Sequence, residues 1–205
     1  MAELNNEFEI QIRAQKALTD ATQEKVNNHQ ALNDSEIALL CPVAMKTTMT
    51  NKEITELGLS KHYSFVPTID VVNDLRTLGY DCVDATQVKS RKKSTNGYQK
   101  HLLTFEHPDY KVEGAEEYPQ LLLTNSHDGG NAFTLSAGIF RLVCSNGLVI
   151  KTEDYGTARL VHKGYSFETI RELVNEFNVT VTNVLNKVTA MKKVELTKQQ
   201  QIEFA

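Results

Sequence analysis

The fold is decided by residues 80–107, which read YDCVDATQVK SRKKSTNG YQKHLLTFEH. The two ends of this stretch mix apolar and polar side chains in alternation, a pattern typical of strands over residues 80–89 and 98–107. The segment between them closes on Asn96-Gly97, a strong turn signal. The sequence therefore predicts a long β-hairpin, to which the rest of the fold is added.

The predicted hairpin carries a local positive charge on an acidic chain. The formal net charge of the whole chain is −4, yet the window from Ala85 to Phe105 holds no acid and five cations. These cations are Lys89, Arg91, Lys92, Lys93 and Lys100. Cations focused on one loop suit the phosphates of a nucleic acid. The alternative interpretation is a solvated hairpin tip whose lysines discourage edge-to-edge aggregation.

Flat side chains lie beside these cations. Tyr98 and His101 follow the turn, and rings interleaved with positive charge suit stacking on the bases of a single strand. Ordinary cross-strand packing is the alternative for each ring. Arg141 lies further along the chain. It is either a buried charge paired with an acid or a phosphate ligand that faces the nucleic-acid groove. The sequence thus predicts a nucleic-acid site of eight residues: Lys89, Arg91, Lys92, Lys93, Tyr98, Lys100, His101 and Arg141.

On either side of the hairpin the sequence predicts a mixed α+β body. Thr68 is a good N-cap for a helix that ends at Gly79. Strands are predicted over 120–124, whose leucines indicate burial on both faces, and over 132–136, 148–151 and 158–162. Residues 139–143 follow a helical spacing, and a continued strand is the alternative interpretation. The expected fold is an antiparallel sheet with a long basic β-hairpin, packed against a long C-terminal helix and preceded by a helical arm.

The chain divides into three predicted parts. Residues 1–45 form a polar helical arm, broken at 27–30 and followed by a short helix that ends before Pro42. Residues 46–165 form the α+β core. Residues 166–205 form a long helix whose final residues still read as helix, as in a truncated protein. Apolar residues spaced by three and four from Phe167 to Met191 predict a seam for a groove, another helix or a second subunit, so we expect an oligomer formed through residues 166–193.

Three groups of residues carry a resemblance to a known family. In chain order, the first runs from Tyr63-Ser64-Phe65-Val66-Pro67-Thr68 to Leu78-Gly79-Tyr80, and the second is Tyr98-Gln99-Lys100-His101-Leu102-Leu103. The third consists of Asn125-Ser126-His127-Asp128-Gly129 together with Phe140-Arg141-Leu142-Val143-Cys144-Ser145-Asn146-Gly147-Leu148. Together they resemble a phage- and plasmid-borne family, the domain-of-unknown-function family numbered 932. The resemblance implies a mobile element in a bacterial cytoplasm and no agreed activity.

Three functions remain open on the sequence. The first is single-stranded DNA binding or annealing by an oligomer, because the element order is similar to that of single-strand-annealing recombination proteins. The second is inhibition of a host defence component through protein–protein binding. The third is an enzyme that uses His127, Asp128 and Cys144 with Arg141 nearby, although Asp128 also suits a turn and His127 a packed ring.

Several classes of protein are not expected. No apolar run approaches the roughly 20 residues that span a bilayer, and the N-terminus lacks the regions of a signal peptide. Cys41, Cys82 and Cys144 are odd in number and lack a metal-ligand spacing, which favours a reducing cytoplasm without disulfides. We expect no cofactor, no metal and no membrane partner.

Overall fold

A computed structural model describes most of the chain, and its backbone is followed over residues 2–90, 93–111, 119–144, 148–160 and 166–192. Side chains are described over the same ranges except at 2–10, 93, 139–144, 148–160, 184 and 187–192. The fold is α+β, as the sequence predicts.

The described residues form five α-helices and five strands. The helices are α1 (Ala2–Asn27), α2 (Asp34–Leu40), α3 (Asn51–Glu56), α4 (Thr68–Thr77) and α5 (Phe167–Lys192). The strands are β1 (Asp81–Gln87), β2 (His101–Glu106), β3 (Gln120–Asn125), β4 (Phe133–Cys144) and β5 (Leu148–Leu160). Single 3₁₀ turns lie at Pro42–Met45, Lys93–Thr95 and Pro108–Tyr110.

The strands form one antiparallel sheet in the order β1-β2-β3-β4-β5, so every neighbour in the sheet is also a neighbour in sequence. In the first pair Gln87 faces His101, and in the second pair His101 faces Asn125. The pairing of 81–87 with 101–106 confirms the predicted hairpin. Its two strands are shorter than predicted because the connecting loop takes residues 88–100.

One face of the sheet and three helices enclose the core. Alternate residues of β2, β3 and the first half of β4 point to this face and are fully buried, and helices α2, α4 and α5 pack against the same core. Side chains that are 0% exposed include Leu103, Phe105, Leu121, Leu123 and Leu135. The prediction that the leucines of β3 are buried on both faces is wrong for Leu122, which points to the other face and is partly exposed.

Residues 139–143 belong to strand β4, so the strand interpretation of this ambiguous stretch is the correct one. The two short strands predicted over 148–151 and 158–162 fall on one strand, β5, which covers 148–160 and pairs with β4 along its length, and residues 161 and 162 lie outside the described residues. Pairing with a long neighbour overrides the local pattern, since each added residue gains ladder hydrogen bonds.

Helix α4 begins one residue earlier than the sequence predicts. Thr68 is the first helical residue, Pro67 takes the N-cap position, and no side chain caps the helix. The prediction that Thr68 caps the helix is therefore wrong: its hydroxyl lies 2.7 Å from Nε2 of His101 instead. The predicted helix end is confirmed, since Gly79 follows the C-cap with a φ of +87°.

The apolar seam of α5 packs on this chain's own core. Ile170, Val174, Phe177 and Val181 are all 0% exposed, and the ring of Phe177 lies 6.3 Å from that of Tyr80. Ser166 caps the helix, accepting a hydrogen bond from the backbone N–H of Thr169 at 3.3 Å. The first half of the seam is thus occupied within the chain.

The first helix of the N-terminal arm ends at the predicted break, residues 27–30. Helix α1 stops at Asn27, and His29 has a positive φ of 50°. The imidazole of His29 lies 2.6 Å from Oε1 of Glu106, a carboxylate that is 1% exposed and also accepts from Gln120. Lys111 lies 3.0 Å from the second carboxylate oxygen and donates to the carbonyl of His29. These contacts fasten the break in the arm, at His29, to the sheet.

Candidate nucleic-acid interface

The candidate residues gather at one end of the sheet. Strands β1 and β3 end there and strands β2 and β4 begin there, as the antiparallel register requires. Two connections therefore lie side by side at this end. One is the basic loop (residues 88–100) and the other is the signature turn (residues 126–132), which carries the Ser-His-Asp-Gly sequence.

The basic loop is closed by backbone hydrogen bonds. The N–H of Val88 donates to the carbonyl of Lys100 at 2.9 Å, which extends the β1–β2 ladder by one step. Further out, the N–H of Tyr98 donates to the carbonyl of Thr95 at 3.1 Å, and Gly97 turns the chain with a φ of +88°. Asn96-Gly97 is thus a turn, as the sequence predicts.

The structure describes the side chains of only some of the predicted phosphate ligands. Lys89 is exposed and Lys100 is partly exposed, and neither forms an ion pair within the described ranges. Lys93 begins the 3₁₀ turn and Arg141 lies on β4, each described by its backbone alone. Arg91 and Lys92 lie outside the described residues.

Tyr98 is held at its hydroxyl and over its ring. The hydroxyl donates to Oε1 of Glu53 at 2.5 Å, and the ammonium of Lys46 lies 4.7 Å from the ring centroid. Lys46 also donates to the same carboxylate oxygen at 2.8 Å. The hydrogen bonds from Lys46 and Tyr98 lower the pKa of Glu53, and the bond to Glu53 raises the pKa of Tyr98. The ring is therefore fixed in orientation and partly exposed.

His101 is not available for stacking. Its side chain is 0% exposed and lies on the core face of β2, with Nδ1 3.0 Å from the carbonyl of Gln99. A base could reach this ring only if the core opened. The prediction that His101 binds nucleic acid is therefore wrong, and the interpretation of its ring as a packing partner is the correct one.

The hydrogen bonds around His101 form a directed chain. Because the carbonyl of Gln99 can only accept, Nδ1 of His101 carries the proton and Nε2 accepts from the hydroxyl of Thr68. That hydroxyl accepts in turn from Nδ2 of Asn125 at 3.0 Å. Burial lowers the pKa of His101 to about 4, so the ring is neutral near pH 7.

The signature turn is held by its own side chains. The hydroxyl of Ser126 accepts from the N–H of Asn131 at 2.9 Å, and Oδ1 of Asp128 accepts from the N–H of Gly130 at 2.9 Å. The ring of His127 is 0% exposed and lies between the rings of Phe65 and His101, at centroid distances of 4.6 and 5.0 Å. Asp128 as a turn-former and His127 as a packed ring are both confirmed.

The signature turn contacts both of its neighbours. The N–H of His127 donates to the carbonyl of Tyr98 at 2.8 Å, which ties the turn to the basic loop. On its other side Gly129, with a φ of +74°, lies so close to Leu59 that a Cβ there would be 2.5 Å from Cδ2. The turn therefore fixes the positions of two flanking segments.

The described contacts of His127 and Asp128 do not form a recognisable catalytic arrangement. The thiol of Cys144 lies outside the described side chains, and Cys41 and Cys82 are buried free thiols. Burial raises the pKa of the Cys41 thiol to about 12, so it is not a thiolate near neutral pH. Within the described ranges, no three His, Cys, Asp or Glu side chains could together hold a metal ion. No described helix is long and apolar enough to cross a membrane.

Sequence reasoning missed α3 and its contact with the basic loop. The signal was present, since Thr50 and Glu53 have the spacing of a capping box, and both of its hydrogen bonds are formed. The same Glu53 then binds Tyr98. No local signal pairs Thr68 with His101 or Glu106 with His29, because these contacts join residues far apart in sequence.

The chain belongs to the family described as "Domain of unknown function (DUF932)", whose model matches residues 58–205. It is similar to two curated proteins of Escherichia coli (strain K12), the "UPF0380 protein YafZ" and the "UPF0380 protein YfjQ". Each is 34% identical over 105 residues, which are 51% of this chain and 37% of the relative. The match thus spans little more than a third of either relative. No solved structure matches the chain.

Proposed function

We propose that this protein binds nucleic acid through the basic loop, with single strands preferred over duplex. The observation that carries the proposal is the charge of the loop: residues 88–100 contain five cations and no acid, on a chain with a formal net charge of −4. Cations placed near phosphates supply most of the sequence-independent affinity of nucleic-acid-binding proteins.

The described contacts favour a preformed surface. Lys89 and Lys100 lie at the two ends of the loop, where the Val88–Lys100 backbone bond holds them near each other. Their ammonium groups are not neutralised by acids of the described part of the chain, so phosphates need not displace an ion pair. Arg91, Lys92 and Lys93 add to the charge by sequence, and Arg141 is retained as a further candidate.

The preference for single strands rests on Tyr98. Its ring is partly exposed, fixed by Glu53 and Lys46, and adjacent to the cations. Single-strand sites combine a positive groove with aromatic rings on which bases stack. A ring whose orientation is already fixed loses little conformational entropy when a base stacks on it.

An oligomer formed through α5 is the other part of the proposal. Ile170, Val174, Phe177 and Val181 pack on the chain's own core, so contacts between subunits would use other residues of α5, such as the exposed Phe167. The resemblance to phage- and plasmid-borne proteins supports a role in the DNA metabolism of a mobile element in a bacterial cytoplasm. Light scattering after size exclusion tests the oligomer: a mass of one chain would contradict it.

The binding proposal is tested by fluorescence anisotropy with labelled single-stranded and duplex oligonucleotides of one sequence. We expect the wild type to bind the single strand more tightly, and the double variant Lys89→Ala/Lys100→Ala to bind it more weakly. Lys16→Ala is the control for the loss of an exposed lysine outside the loop, because Lys16 lies on α1. Equal binding of the wild type and the double variant would contradict the role of the basic loop.

A further inference from the structure

Residues 57–66 form a second segment at the end of the sheet that carries the basic loop. Leu59 contacts Gly129 of the signature turn, and the ring of Phe65 packs on that of His127. The carbonyl of Val66 accepts from Nδ2 of Asn125 at 3.3 Å. The signature turn therefore contacts both the basic loop and residues 57–66.

The charge of this second segment has the same sign as that of the basic loop. Residues 57–66 contain Lys61 and His62 and no acid. Both side chains are exposed, and Lys61 forms no ion pair within the described part of the chain. Two acid-free segments with exposed cations thus flank one turn, although the chain as a whole is acidic.

The turn between them carries a single acid and two glycines. Its acid, Asp128, is partly buried and directs Oδ1 to the N–H of Gly130. Gly129 and Gly130 are exposed and carry no side chain that would hold a strand away from the backbone. The surface is therefore positive at both ends and sterically open between them.

We propose that a nucleic-acid strand bound at the basic loop continues across Gly129-Gly130 to Lys61, so that Lys61, with His62 beside it, is a second contact for the phosphate backbone. This inference rests on the proposed nucleic-acid binding. It assigns a positioning role to the family's signature turn, which fixes the two cationic segments relative to each other through Leu59 and the carbonyl of Tyr98.

The experiment measures the affinity of a single-stranded oligonucleotide for the full chain over a series of salt concentrations. Lys61→Ala removes one phosphate contact, so we expect weaker binding and a log–log salt slope smaller in magnitude by about 0.7. Lys16→Ala removes the same charge from the arm and is expected to change neither quantity. Both positions are exposed, so neither substitution is expected to change the stability of the fold.

The outcomes separate the two proposals. If the wild type does not bind, the proposed function and this inference are both wrong. If Lys89→Ala/Lys100→Ala weakens binding while Lys61→Ala behaves as Lys16→Ala does, the strand does not reach Lys61, and only the present inference is overturned. A reduced affinity with an unchanged salt slope would also overturn it, because no phosphate contact would have been lost.

Discussion

Thr68 shows how one buried hydroxyl joins three elements at the end of the sheet. It lies at the start of α4, donates to Nε2 of His101 on β2 and accepts from Nδ2 of Asn125 on β3. All three residues are 0% exposed. Because buried polar groups are costly when left unpaired, this chain of bonds specifies how the helix meets the two strands.

Replacing Thr68 with Val keeps the shape of the side chain and removes the hydroxyl. Nε2 of His101 and Nδ2 of Asn125 then lose this partner in the core, so we expect the free energy of unfolding to fall by about 2 kcal/mol. Urea denaturation monitored by circular dichroism measures the change. Thr68→Ser, which retains the hydroxyl, is the control; a Val variant as stable as the wild type would show that the chain of bonds does not stabilise the fold.

The buried imidazole of His101 gives the stability a dependence on pH. Its pKa is about 4 in the folded state, against an ordinary histidine value of 6.5, so between these values the unfolded chain binds the proton that the folded chain does not. The stability contributed by this residue is therefore present above pH 6.5 and falls as the pH is lowered towards 4. By about pH 4.5 we expect this loss to reach about 2 kcal/mol.

The measurement compares the wild type with His101→Gln, which cannot titrate in this range. Both proteins are unfolded with urea at several pH values from about 7.5 to about 4.5, and the other titrating groups cancel in the difference. We expect the wild type to lose more stability on acidification than the variant does. Parallel pH profiles would mean that His101 is not buried as a neutral ring.

At the scale of elements, α5 shows the clearest division between an inner and an outer face. Phe177 is 0% exposed and packs near Tyr80 and Tyr110, whereas Val179, two residues later, is 64% exposed. The helix contains a run of β-branched residues with poor helix propensity, so its stability comes from the packed face.

The two faces predict unequal costs of truncation. Phe177→Ala leaves a cavity in the core and is expected to lower the free energy of unfolding by about 3–5 kcal/mol. Val179→Ala, on the same helix, is expected to change it by less than about 0.5 kcal/mol. Thermal and urea unfolding of both variants measure the difference, and similar costs at the two positions would contradict the orientation of α5.

Apart from α3, the sequence predicts the regular elements because their signals are local. The turn at Asn96-Gly97, the end of α4 at Gly79 and the break of the arm at 27–30 all follow from residues close in the chain. The length of β4 and β5 does not, since it depends on pairing between them. The burial of His101 does not follow from the local pattern either, because it depends on the contact with Thr68 and on the register with Asn125.

At the scale of the whole molecule, the sheet has two differently built ends. The end with the basic loop gathers exposed cations around the signature turn, and contacts from 46–66 brace it. Towards the other end the buried carboxylate of Glu106 holds the arm through His29 and Lys111. The contacts that fasten the arm therefore lie towards the opposite end of the sheet from the basic loop.

The central claim is that the basic loop binds the phosphates of a nucleic-acid strand. The most direct measurement is the salt dependence of single-strand binding for the wild type and for Lys89→Ala/Lys100→Ala. We predict that wild-type affinity falls steeply with salt and that the loss of two phosphate contacts reduces the magnitude of the log–log slope by about 1.4. Binding that is absent or insensitive to salt, or an equal slope in both proteins, would contradict the claim.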